Sequence, residues 1–113
     1  MTPADPVEAA LILTTLGADA DAGRLARMLV EERLAACVAV LPPMTSTYRW
    51  KEGVEQAREQ QLVIKTTADR VAAVEARLRQ VHPYEVPEFL VLKADSGSDA
   101  YLRWMRASTA EGG

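Results

Sequence analysis

Apolar positions run continuously in some stretches of this chain and recur at fixed spacing in others, and this separates strands from helices. Glu8 to Leu16 (EAALILTTL) is a near-continuous apolar run closed by Gly17, the pattern of a buried central strand. Asp19 or Asp21 then offers a helix cap. Leu25, Met28, Leu29 and Leu34, with Ala22 and Ala26 beside them, form a stripe that predicts a helix to about Leu34. Val71, Val74, Leu78 and Val81 recur at helical spacing and predict a second helix beginning at Thr67 or Asp69. His82-Pro83 ends it, because the residue before a proline is pushed out of helical geometry. Glu88 to Ala94 (EFLVLKA) reads as a strand. Ser96-Gly97-Ser98 is a turn, and Ser98 caps a short final helix running to about Ala107.

Between the helices, Ala36 to Thr67 reads as one long β-hairpin with its turn at Lys51-Glu52-Gly53. Each arm has about 14 residues and reaches about 45–50 Å. A compact domain of this length is only about 34 Å across. Part of the hairpin must therefore project, and a lone two-stranded ribbon is barely stable in water. The second arm changes character along its length, from polar EQAREQQ to apolar LVIKTT, so the polar half is the projecting part. Pro42-Pro43 inside the first arm cannot donate to a ladder and marks a bulge or an edge.

The order β-α-β-β-α-β plus a terminal helix is the split, ferredoxin-like arrangement, an α+β class. It covers residues 8–108 as a single domain, with 1–7 and 109–113 expected to be loose. Two helices cover one face of the antiparallel sheet. The other face, rich in Leu, Val and Ile, needs a cover of its own, and a second copy of the chain is the nearest candidate.

Composition narrows the function classes. The chain has 113 residues, 49% hydrophobic and 26% charged, with a net charge of −3, which argues against nucleic-acid binding. Arg70, Arg77 and Arg79 share a helix but are interrupted by Asp69 and Glu75, the pattern of a solvated face. No run approaches the length of a membrane span, no signal-peptide pattern is visible, and Cys37 is the only cysteine, so a cytoplasmic location is expected. No nucleophile elbow, Walker loop or dinucleotide fingerprint occurs, and an enzyme is not expected.

Five segments together resemble the CutA family of divalent-cation tolerance proteins: ERLAACV (Glu32 to Val38), STYRWKEGVEQ (Ser46 to Gln56), IKTT (Ile64 to Thr67), HPYEVPE (His82 to Glu88) and YLRWM (Tyr101 to Met105). The resemblance implies a homotrimer whose hairpins cross to neighbouring subunits, an architecture similar to the PII signalling trimers. It also implies a role in the response to metal ions, with copper or another divalent cation as the ligand. In copper-binding relatives, ligands have been placed at a first-strand cysteine and at two adjacent histidines before a proline. Those positions here hold Thr14, Val81 and His82, so only one imidazole remains.

Two candidate sites follow. One is a weak metal site at His82 with Glu85 nearby. Its competing reading is a helix-ending structural histidine, and Cys37 reads as a small buried hydrophobe. The other is a ligand cleft drawing on Trp50, Lys65, Tyr84, Glu88, Tyr101 and Trp104, aromatic faces with a few charges at a subunit boundary. There Lys65 either meets a small anionic ligand or pairs with Glu59 or Glu88 at the trimer seam, and the aromatics either hold a ligand or pack an interface.

Overall fold

The computed structural model describes residues 7–111. Eight main elements follow in order: β1 (Ala9–Gly17), α1 (Ala22–Glu31), β2 (Cys37–Val40), β3 (Met44–Trp50), β4 (Gly53–Thr67), α2 (Val71–Val81), β5 (Leu90–Lys93) and α3 (Asp99–Thr109). The sheet order is β2-β4-β1-β5, all antiparallel, with β3 also paired to β4. This is the ferredoxin-like order, with the first hairpin arm divided at Leu41-Pro42-Pro43, where prolines cannot continue the ladder. Most of the termini expected to be loose lie outside the described residues. Thr109, however, closes α3 and is buried, so the last helix runs past Ala107.

Strand register assigns the two faces of the sheet. Ile12, paired with Ile64, faces the helices and packs with Leu29 of α1 and Val74 and Leu78 of α2 in the main core. Leu13, paired with both Val63 and Leu90, and Leu11, paired with Leu92, point the other way. Among the described residues no helix packs there, and on this side of β5 Leu90 is 58% exposed and Leu92 49%. Burying such a side chain is worth about 1.5–3 kcal/mol, so this face is a large reserve of unused association energy.

The hairpin projects as its length requires. Gly17 opposite Glu59 is the last β1 pairing, so β4 from Gly53 to Arg58 has only β3 beside it. The protein measures 52 × 26 × 23 Å, with a radius of gyration of 15.4 Å against about 13 Å for a compact chain of this length. At the tip, Lys51 takes a left-handed backbone with φ 57°, a conformation that usually calls for glycine or asparagine.

Two helix boundaries differ from the apolar pattern. α1 is capped by Asp21, whose carboxylate accepts from the Arg24 amide at 3.0 Å. It stops at Glu31, before Leu34, because Arg33 turns left-handed with φ 60° and the Leu34 amide returns to the Leu29 carbonyl at 3.0 Å, a C-terminal capping turn. Leu34 is buried from the following segment. In α2, Val74 and Leu78 are buried while Val81, at the end of the helix, is exposed. The arginines of α2 and its lead-in are paired: Arg70 with Glu111, Arg77 with Glu32 and Arg79 with Glu75.

Candidate functional site

One face of the hairpin and the loop after α2 enclose a cleft of about 790 Å³. Period-two alternation selects its floor. Met44, Ser46, Tyr48 and Trp50 of β3 share a face with Glu55, Glu59 and Gln61 of β4, and all seven line the cleft. Pro83, Tyr84, Glu85, Val86, Pro87 and Glu88 form the facing wall. The opposite face of the same hairpin carries Arg49 and Arg58, with Arg58 donating to the Thr45 hydroxyl at 3.3 Å. The ribbon is thus acidic and aromatic on the cleft side and basic on the other.

The wall is fixed by three hydrogen bonds. The His82 ring contacts the Thr15 carbonyl through Nε2 at 2.7 Å, and the Tyr84 amide donates to Nδ1 at 3.2 Å. A carbonyl only accepts and an amide N–H only donates, so Nε2 carries the proton and Nδ1 holds the lone pair. The Tyr84 hydroxyl donates to Glu59 Oε2 at 2.9 Å. Burial, then the Glu59 carboxylate beside it, pushes the Tyr84 phenol up to about 12. Gln61 ties the floor to the wall by donating to Glu88 at 2.8 Å and to the Thr14 carbonyl at 2.7 Å.

The residues singled out from the sequence divide. Trp50, Tyr84, Glu85 and Glu88 line the cleft. Lys65 does not. It lies farther along the open sheet face, opposite Leu11 and Cys37, and the described ion pairs do not include it. Within the chain, Glu59 and Glu88 instead accept hydrogen bonds from Tyr84 and Gln61. Tyr101 and Trp104 make a tilted ring contact on α3 at 5.3 Å and stay exposed, away from the cleft. His82 sits behind the wall with both ring nitrogens engaged, so a metal ion at either would displace a hydrogen bond. Among the described residues no three His, Cys, Asp or Glu side chains come together as metal ligands. Cys37 is only half-buried, because its position on β2 points to the uncovered sheet face.

Sequence reasoning missed Tyr48, Glu55 and Gln61 as cleft residues and took Glu59 only for an ion-pair partner. The signal was present: Glu55, Glu59 and Gln61 fall at even spacing in VEQAREQQL, on the same side as Tyr48 and Trp50 across the turn.

A ferredoxin-like subunit with a projecting hairpin and a carboxylate-lined cleft along one of its faces is the class these features define. The sequence profile described as CutA1 divalent ion tolerance protein matches residues 10–108. A divalent-cation tolerance protein CutA from Pectobacterium atrosepticum is 46% identical over 89% of this chain and 92% of its own length. The structure of the divalent cation tolerance protein CutA1 from Thermus thermophilus superimposes with a TM-score of 0.85 at 39% identity, covering 90% of this chain and 99% of that one. A structure named as the periplasmic divalent cation tolerance protein CutA of Archaeoglobus fulgidus gives 0.86 at 27% identity over 90% of this chain and 99% of that one. The chain belongs to the CutA1 divalent ion tolerance protein family. No helix among the described residues is long and apolar enough to cross a membrane.

Proposed function

We propose that this chain is a homotrimeric divalent-cation tolerance protein that works by binding, without turnover, and that the cleft is where its ligand sits. The observation that carries the reading is the charge of the lining: Glu55, Glu59, Glu85 and Glu88, with no lysine, arginine or histidine among the lining residues. Such a surface concentrates cations and repels anions. The PII-like alternative, a trimer reporting a small anionic metabolite, needs a basic cleft, and Lys65 lies outside this one.

The metal in this reading is a hard or borderline ion held weakly. Carboxylates and water suit such ions, and the described side chains give no closed ligand set, so the ion keeps much of its water shell. Copper in a soft site is not supported by the engaged nitrogens of His82. Trimer assembly rests on the open apolar face and the projecting ribbon, which a neighbouring copy covers. A cytoplasmic location belongs to the same proposal, and cell fractionation separates it from the periplasmic place named for the Archaeoglobus relative.

Manganese(II) titration followed by electron paramagnetic resonance tests the site. The native chain should bind the ion with a Kd below about 1 mM, and the Glu59→Gln, Glu88→Gln double variant should lose that binding. No uptake by the native chain, or full uptake by the double variant, would remove the cleft as the metal site.

A further inference from the structure

The cleft contains more than a metal ion can use. We propose that its preferred ligand is a small organic cation, an ammonium or guanidinium compound, held by Glu59 and its neighbouring carboxylates against Tyr48, Trp50 and Tyr84. This rests on the reading that the cleft is a ligand site, and it names the class of ligand.

Three observations carry it. Glu59 is only 8% exposed and lines the cleft. Its one hydrogen-bond partner among the described residues is the neutral Tyr84 hydroxyl on Oε2, and the described ion pairs do not include it. A carboxylate held that deeply without a cation is costly, and a ligand cation on the free Oε1 side relieves the cost. The second observation is aromatic. Tyr48 and Trp50 on the floor and Tyr84 on the wall, with Met44, Val86 and two prolines between, present apolar and π surface to the occupant. A hydrated divalent ion gains little from such walls, whereas an organic cation gains from ring faces and from burial of its carbon skeleton. The third is size: about 790 Å³ is the volume of a small-molecule pocket and far more than a single ion fills.

The segregation of the hairpin supports the same class. Arg49 and Arg58 are turned to the far face by strand alternation, so the ribbon does not neutralise its own carboxylates from within. A ligand must bring the positive charge, or a neighbouring copy must supply an arginine or lysine. The aromatic lining favours the small ligand.

Agmatine, which carries a guanidinium and an ammonium group, is the probe, and Trp50 fluorescence is the readout in a Trp104→Phe background. Tetramethylammonium, manganese(II) alone and glutarate run beside it. Agmatine should change the Trp50 signal saturably with a Kd below about 1 mM. Glu59→Gln should weaken it about tenfold or more at unchanged oligomeric mass. Glu55→Gln, on the exposed part of the same face, gives a second variant if Glu59→Gln does not fold. Manganese binding without agmatine binding would overturn the organic-cation assignment and leave the cleft reading standing. Glutarate binding would overturn the cation assignment, and no response to any probe together with no manganese uptake would overturn both. Loss of oligomeric mass in Glu59→Gln would assign the cation to a neighbouring copy and overturn the small-ligand assignment.

Discussion

Replacing His82 by alanine separates a structural histidine from a metal ligand. The substitution removes the Nε2 bond to the Thr15 carbonyl, the Nδ1 acceptor of the Tyr84 amide, and a tilted ring contact with Tyr84 at 4.9 Å. Thr15 is 6% exposed, so orphaning its carbonyl costs about 1–3 kcal/mol, and the better-solvated Tyr84 amide adds less. The ring contact adds about 0.5–1 kcal/mol. The expected loss is therefore about 2–4 kcal/mol, which lowers the melting temperature by about 10 °C or more for a domain this size. Thermal unfolding by circular dichroism at fixed protomer concentration reads it, since the proposed assembly would make the midpoint concentration-dependent. His82→Gln, whose amide can still donate to Thr15, should recover part of the loss. Copper(II) uptake by His82→Ala, measured on the folded protein, should match the native chain. A variant as stable as the native chain to within about 0.5 kcal/mol but devoid of copper uptake would refute the structural role and restore His82 as a ligand.

Three further outcomes follow from single groups. Tyr84 stays protonated to about pH 12 when folded, against 10.0 for an ordinary phenol. Its contribution is complete below pH 10 and is lost as pH rises through 12, so Tyr84→Phe should flatten the alkaline fall of stability in urea titrations. The hydroxyl of Thr67 donates to Asp69 at 2.6 Å and, with Arg106, holds that carboxyl below its usual range. Asp69 therefore stabilises above about pH 4 and loses this as pH falls through its lowered value, and Thr67→Val should show a shallower acid loss. Thr14 is fully buried and its hydroxyl has no partner among the described residues, so Thr14→Val, nearly the same shape, should raise stability by about 1 kcal/mol in denaturant melts.

The elements that bury apolar side chains in simple repeats were legible in the sequence. β1 showed as a continuous run, α2 as a spaced stripe, and the hairpin as two arms too long for their domain, broken where Pro42-Pro43 removes two ladder donors. His82-Pro83 ended α2 as the proline requires, with His82 at ψ 131°. The end of α1 was hidden because its left-handed residue is Arg33, where the usual signal is glycine. β5 starts at Leu90, later than its apolar run, because Pro87 and Glu88 stay in the cleft wall. The cleft was half legible. Tyr84, Glu85 and Glu88 share one short motif and stayed together. The floor comes from a hairpin face more than 20 residues earlier in the chain, and only strand register shows that Glu59 meets Tyr84. Lys65 looked placed for a ligand because a charge in an apolar strand needs an outlet, but its strand position sends it to the open sheet face. Tyr101 and Trp104 found each other on α3, an outcome that helical spacing allows and that composition alone does not distinguish from a cleft.

The open apolar face defined by Leu11, Leu13, Val63, Leu90 and Leu92 is the central claim, because assembly depends on it. Light scattering on the eluting protein measures it most directly. The native chain should have three times the 12.3 kDa protomer mass, and a Leu90→Lys, Leu92→Lys double variant should fall to protomer or aggregate. A native chain that elutes at 12.3 kDa, folded and with that face left in water, would contradict the account.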